Sequence, residues 1–319
     1  MTSPDVLIGV DVGGSAMSGG LVTPGGDILS VVQTGTHYEG PGTALDTLLR
    51  IVDTLVFRAG ERGQSIAGIG IGLPGIVDVD TGMLQKGIER LTELTEVPLA
   101  HRLETKTGIP TFVDNDVNAL ALGEWRFGLG RGASSLVVLA LGTGLGGAIV
   151  LDGRLHRGRR GFGGEFGHFP VSFDGRLCVC GARGCLGAYA AGYGIAAEWQ
   201  RRTGQRDSGS APDAEAVFRA AGNGNATARE VIEDTRRALS AALGGIVNAL
   251  DPDVIVVTGG IVKGLVPWQD EILCQAGEHT LAALFGSTRI HLVPIDKSQT
   301  VRGGAALVLY EQARRAERA

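Results

Sequence analysis

Asp114-Asn115-Asp116-Val117-Asn118 sets four polar residues in five positions, directly after the apolar run 110–113 and ahead of a helix expected over 118–127. Such a segment sits at the carboxyl end of a strand and opens a helix. Asp114 or Asn115 can serve there as the N-cap, which accounts for one polar residue and not for four. A carboxylate beside a carboxamide can orient a hydroxyl and take its proton as it attacks phosphorus, and Asp116 is the expected base. Further along, Gly164-Glu165-Phe166-Gly167-His168 supplies another carboxylate and an imidazole, and Cys178, Cys180 and Cys185 follow within eight positions of one another. His168 with the three thiolates makes a closed tetrahedral Zn²⁺ site, which is structural because it leaves no position for a reacting water. Redox-active thiols are the competing reading. A metal knuckle here would fix the loop that bears Glu165.

Two glycine loops point to phosphate. In Asp11-Val12-Gly13-Gly14-Ser15 the glycines let backbone amides close around phosphate oxygens, Ser15 can donate to one, and Asp11 can hold a hydrated Mg²⁺. Leu141-Gly142-Thr143-Gly144-Leu145-Gly146-Gly147 repeats the construction with Thr143 as the hydroxyl donor. Facing each other across a cleft, Gly13, Gly14, Thr143 and Gly144 would clamp successive phosphates of a nucleotide. Thr258-Gly259-Gly260, after a buried strand, would let the nucleoside lie against backbone. Three unrelated turns are the alternative.

The elements that must position these residues follow from periodicity. Apolar runs at 6–10, 18–22 and 28–34 read as an antiparallel meander, followed by a helix over 43–59, a strand at 66–72, a helix over 99–107 closed by Gly108, and a strand at 110–113. A second meander at 136–141 and 147–151, turning at Asp152-Gly153, repeats the opening pattern and predicts an internal duplication into two α/β halves. Helices are expected over 188–201, 213–221 and 226–250, the last ended by Asp251-Pro252, then strands at 254–257 and 290–293 and a helix over 301–315. The stretch 204–212 reads as a loop. The expected domains are 1–114, joined by the helix at about 300–319, and 115–299 with the knuckle.

Composition agrees with this picture. Of 319 residues, 52 are glycine without a collagen period, so glycine positions mark turns and backbone approaching ligands. With 29 basic and 34 acidic residues, the net charge of −5 argues against a protein built to grip nucleic acid or an anionic membrane. No apolar stretch reaches 18 residues and the first residues carry no basic flank, so a cytoplasmic protein is expected. Cys274 stands alone and reads as a small buried hydrophobe. Arg154, His156, Arg157, Arg159 and Arg160 read as a solvated loop, or as a field attracting an anionic donor such as polyphosphate or an anionic acceptor.

Taken together, these residues resemble the ROK sugar kinases, glucokinase-like proteins of the actin-like ATPase (ribonuclease H-like) fold. The likeness covers nearly the whole chain: both glycine loops, Leu73-Pro74-Gly75 with Val77-Asp78, Asn115 to Asn118, Glu165 to His168, the cysteine cluster, and Asp251-Pro252 leading to Gly259-Gly260. It implies two domains flanking a cleft, ATP and Mg²⁺, transfer to a sugar's primary hydroxyl with Asp116 as base, and Gly75, Asn115, Glu165 and His168 on the sugar. It also implies structural Zn²⁺ on His168 and the cysteines, and a homodimer or homotetramer. Where such kinases read Gly-Cys-Leu-Glu, with the Glu on the anomeric side of the sugar, this chain has Gly184-Cys185-Leu186-Gly187. Ala16 stands where Lys is frequent, and Lys86-Gly87-Ile88-Glu89-Arg90 replaces an Asn-rich sugar-side loop. A hexose is the expected acceptor. A C7-cyclitol of the valiolone kind would explain the missing carboxylate, which would otherwise be buried unpaired, and N-acyl hexosamines are a further alternative. A sugar-responsive regulator would need a helix-turn-helix before the first strand, which starts near Val6. A catalytically silent sugar sensor is opposed by Asp116 and both phosphate loops.

Overall fold

In the computed structural model, which describes residues 5–204 and 213–318, the chain divides into two units, each discontinuous in sequence. The first comprises Met1–Gly132, Arg157–Gly163 and Asp296–Ala319, and the second Ala133–His156 and Gly164–Ile295.

In the first unit, β1 (Val6–Val12), β2 (Ala16–Val22) and β3 (Ile28–Gly35) form the antiparallel meander. Helix α1 (Ala44–Glu61) leads to β4 (Ile66–Leu73), which is followed by a hairpin of β5 (Gly75–Asp78) and β6 (Met83–Gly87). Helix α2 (Leu99–Thr107), closed by Gly108 in the left-handed region, precedes β7 (Thr111–Asn115) and helix α3 (Asp116–Phe127). The sheet order is β3-β2-β1-β4-β7, with β4 parallel to both β1 and β7. Leu48, Ile51, Val52 and Leu55 form the apolar stripe of α1 and are fully buried in the core that includes Val10 and Met17, each contributing about 2 kcal/mol. The last helix (Lys297–Arg318) packs on β1, β4 and α3. Its backbone lies directly on β4: a Cβ on Gly70 would come within 1.9 Å of the Gly304 carbonyl oxygen, so only glycine permits this approach.

The second unit repeats the plan. Strands β8 (Leu136–Leu141), β9 (Leu145–Leu151) and β10 (Arg154–Leu155) are antiparallel, and Asp152 (φ 50°) and Gly153 (φ 71°) make the expected tight turn. After the 3₁₀ turn Phe166–His168 come α4 (Gly187–Ala190), α5 (Gly192–Thr203), α6 (Ala214–Gly222) and α7 (Ala226–Leu250). Strand β11 (Val254–Thr258), helices α8 (Val262–Leu265), α9 (Gln269–Glu278) and α10 (Ala282–Phe285), and β12 (Arg289–Leu292) complete it. The order β10-β9-β8-β11-β12 reproduces that of the first sheet, and α7 bridges third to fourth strand as α1 does. The duplication read from the two meanders is thus present in the strand order.

Three expectations differ from the structure. The helix expected over 188–201 breaks at Ala191, which is extended (φ −82°, ψ 155°). There the Gly192 and Tyr193 amides donate to the carbonyls of Gly142 and Thr143 at 2.9 and 3.1 Å, so the second glycine loop satisfies the first amides of α5. The first unit extends to Gly132 rather than 114, because α3 packs on the last helix. Cys274 is exposed rather than buried, since α9 turns Ile272 and Ala276 inward and position 274 falls on the other face. The hairpin β5–β6 was not anticipated. Of the loop expected at 204–212, Gly204 ends α5 in the left-handed region and the remainder lies outside the described residues.

Candidate active site

Strand β7 ends on Asn115 and α3 begins on Asp116, so the polar cluster lies at a strand's carboxyl end as its sequence implies. Asn115 is the cap: its Oδ1 accepts from the amides of Val117 (2.9 Å) and Asn118 (3.2 Å), while its Nδ2 donates to the Gly75 carbonyl at 3.0 Å. Asp114 is 2% exposed and fully engaged. Its Oδ1 accepts from the Asn115 amide and from Asn118 Nδ2, and its Oδ2 takes a fork from Arg157, Nε at 2.8 Å and Nη2 at 2.6 Å. Arg157 also donates to Glu311 at 2.6 Å and lies over the Tyr310 ring. The basic run therefore contributes a partly buried structural cation in Arg157, whereas Arg159 and Arg160 are exposed. Asp116 accepts from the Val117 amide at 3.0 Å and from its own backbone amide, and no cation pairs with it among the described residues. Desolvation first, and then the nearby Asp11 carboxylate, push its carboxyl up to about 7. That value suits a proton acceptor at neutral pH.

The two glycine loops occupy equivalent places, between β1 and β2 and between β8 and β9. The first is closed by the Gly13 amide donating to the Ala16 carbonyl (3.0 Å), and Thr36 Oγ1 donates to the Gly13 carbonyl. In the second, the Gly142 amide donates to the Gly144 carbonyl at 2.9 Å. Gly142 and Thr143 open onto a cavity of about 880 Å³, walled by Ala196, Phe218, Ile261 and Gly260. Asp213, Glu215, Arg219 and Lys263 also line it, and a pocket of this size, with both apolar and charged walls and edged by a glycine loop, has room for a nucleoside with phosphates toward Thr143. Gly260 has no atom within 4 Å of where a Cβ would stand, so its backbone is open to a ligand. Gly144 and Gly259 do not line the cavity; Gly259 (φ +113°) is pressed on the Leu141 backbone.

Glu165 is exposed and leads into the 3₁₀ turn that ends on His168. The ligand atoms of His168, Cys178, Cys180 and Cys185 all lie within 4.8 Å of one another. Cys180 Sγ is 3.8 Å from Cys185 Sγ, and Cys178 Sγ is 3.6 Å from His168 Nδ1. A Zn²⁺ tetrahedron with ordinary bond lengths has edges of about 3.8 Å between sulfurs and about 3.6 Å between sulfur and nitrogen. The donor set and its spacing fit that ion. Burial raises the Cys178 thiol, but hydrogen bonds from the Cys180 backbone, Tyr193, Cys180 and His168 outweigh it and bring it to about 6, while burial pushes Cys185 up to about 12. Gly187 borders the same turn: a Cβ there would come within 2.8 Å of Tyr193 Oη and 3.0 Å of the Gly167 carbonyl. Tyr193 Oη itself sits 3.5 Å from Cys178 Sγ. Tyr193 and Phe218 carry no local pattern that marks them in the sequence, and Arg157 stands out there only as one of the basic run, its partners lying far away in the chain.

The ROK family profile matches residues 7–310. A glucokinase of Thermotoga maritima is 32% identical over 315 residues, covering 95% of this chain and 96% of that protein. The crystal structure of a ROK hexokinase from Thermus thermophilus superposes with a TM-score of 0.84 at 28% identity, covering 97% of this chain and 99% of that one. A ROK family glucokinase from Streptomyces griseus, in complex with glucose and AMPPNP, gives 0.73 at 28% identity over 95% and 98%. With its duplicated sheet of the actin-like ATPase kind, the chain belongs to the ROK family.

Proposed function

We propose that this protein is a sugar kinase that transfers the γ-phosphoryl group of ATP to the primary hydroxyl of a hexose-like acceptor, giving a sugar 6-phosphate. The observation that carries the reading is Asp116, a carboxyl at the end of a strand whose pKa is pushed up to about 7 beside Asp11. The acceptor oxygen bonds to phosphorus as its proton passes to Asp116, and the bridging bond breaks with its electron pair leaving on ADP. Mg·ATP supplies the activated phosphoryl group and the cation that neutralises its charge. Asp11 would hold that cation through water; Gly14 and Ser15 in the first unit, in the turn that the Gly13 amide closes on Ala16, and Thr143 and Gly144 in the second would offer amides and hydroxyls to phosphate oxygens. Gly260 would carry the backbone beside the nucleoside, with Gly259 behind it against Leu141.

Asn115, Glu165 and His168 are proposed to hold the acceptor's hydroxyls, with Gly75 fixing Asn115 through its carbonyl. His168 turns Nδ1 toward Cys178. A Zn²⁺ on Nδ1 would leave the proton on Nε2, a fixed donor toward a sugar oxygen. Held by four protein ligands, such an ion would leave no open position for chemistry and would serve to hold Glu165 and His168 in register.

A second acceptor class is favoured by Gly187. Tyr193 Oη and the Gly167 carbonyl stand 2.8 and 3.0 Å from where a side chain at 187 would begin, so a carboxylate on the anomeric side would require Tyr193 to shift. A carbasugar such as a C7-cyclitol, which has no ordinary anomeric hydroxyl to satisfy such a carboxylate, suits that end of the site. The test is ADP release from Mg·ATP against glucose, mannose, N-acyl hexosamines and C7-cyclitols, with product mass confirmed. Efficient glucose turnover supports the hexose reading; turnover of a cyclitol with poor use of every hexose replaces it.

A further inference from the structure

The first glycine loop, residues 11–16, contains no lysine or arginine of its own. A cation reaches it from 75 positions away: Arg90 Nη1 donates to Ser15 Oγ at 2.8 Å. The approach is built by the backbone around it. Ile88 Cδ1 and Arg90 Cδ lie 2.8 and 3.6 Å from where a Cβ on Gly14 would stand, so the segment after β6 lies over the loop. His37 Nε2 donates to the Arg90 carbonyl at 2.9 Å, His37 Nδ1 is 3.3 Å from Glu93, and the Thr36 amide donates to the Ser15 carbonyl at 3.1 Å. Loop and cover are therefore tied to the same short stretch, 36–37, that follows β3.

The Arg90 side chain is exposed, and among the described residues no salt bridge engages it. Of five guanidinium N–H groups, one is used on Ser15, and the rest form a planar fork suited to two oxygens of one phosphate. Arg157 shows the contrast, its guanidinium spent on Asp114 and Glu311.

We propose that Arg90 is a catalytic residue that donates to the terminal phosphate of the nucleotide at the first glycine loop. This rests on the kinase reading above. As the acceptor oxygen bonds to phosphorus, its proton goes to Asp116 and the bridging oxygen leaves with its electron pair, negative charge spreads over three non-bridging oxygens. Arg90 meets that charge and is itself unchanged.

The test compares Arg90→Ala and Arg90→Lys with the wild type in two readouts: calorimetric affinity for Mg·AMPPNP against Mg·ADP, and kcat with the KM of each substrate. Arg90→Ala should lower kcat about 10²–10³-fold and cut the preference for AMPPNP over ADP about tenfold, with the acceptor KM changed less than about twofold. Arg90→Lys should recover part of the preference, because one ammonium replaces a fork. An unchanged preference and kcat, or a loss confined to the acceptor KM, overturns the proposal. Failure of the wild-type protein to bind Mg·AMPPNP would overturn the kinase reading itself. Wild-type binding that Arg90→Ala leaves unaltered removes only the role of Arg90.

Discussion

The two glycine loops hold the same station in two sheets of the same strand order, yet they are differently furnished. Around the first stand Asp11, the Asp116 carboxyl whose pKa Asp11 helps to raise, and the Arg90 guanidinium. The second has no charged side chain within 141–147; its carbonyls receive the start of α5, and it opens on a cavity whose charged groups, Asp213, Glu215, Arg219 and Lys263, come from later helices. On the proposed reading, the duplicated scaffold divides chemistry from holding. Backbone amides suffice to hold a phosphate, and they come with the turn itself. Moving a proton or meeting new charge needs side chains, which the first loop has close by in Asp11, Asp116 and Arg90.

If that division is right, damage to the first loop's surroundings should strike kcat and damage to the second unit should strike binding. The largest effect is expected from Asp116→Asn, which should lower kcat by about 10³-fold or more while calorimetry finds Mg·AMPPNP affinity within a factor of about two. Equal losses in both would erase the contrast. Next, Cys180→Ser should remove one zinc equivalent per chain by elemental analysis and raise the acceptor KM about 10–100-fold, since Glu165 and His168 lose their anchor. Full zinc content in that variant would reject the four-ligand site. Thr143→Ala should raise the ATP KM about tenfold or less with kcat nearly spared; a kcat defect there would mean the second loop also takes part in chemistry.

The smallest expected effect is on stability, and its sign follows from linkage. Asp116 is raised from 3.8 to about 7 in the folded protein, so between those values the unfolded chain is ionised while the folded one keeps its proton. Wild-type stability from this group is therefore complete below about pH 4 and is lost as pH rises toward 7. Asp116→Asn lacks that loss. Its Tm should match the wild type near pH 4 and exceed it at pH 8; parallel Tm curves across that range would show that the carboxyl is not perturbed.

The elements carrying both loops were legible because their signals are local. Apolar alternation before and after Gly13-Gly14 and the Asp152-Gly153 turn need only neighbours in sequence, and the Asn115 cap is visible from its place between strand and helix. The ionic partners were not. Arg157 finds Asp114 at 43 positions' distance and Glu311 at 154, so a run of five basic residues looked uniformly solvated. Arg90 meets Ser15 only because an unforeseen hairpin, β5–β6, carries its segment over the loop. The limit of 114 for the first unit failed in the same way, since what claims α3 is a helix nearly two hundred residues later.

That late helix also sets a timetable for synthesis. A ribosome adds about 5–20 residues per second, so the whole of 133–295 emerges before the helix at 297–318 exists. Until then one face of β1 and β4 has no cover, and the first unit must wait, open, while the second is being made. The waiting face is lined by Gly9, Gly68 and Gly70, where the helix backbone or its side chains will later settle. A surface of bare backbone offers little for a passing apolar chain to grip. The glycines that admit the helix in the finished protein would also keep the nascent one from sticking.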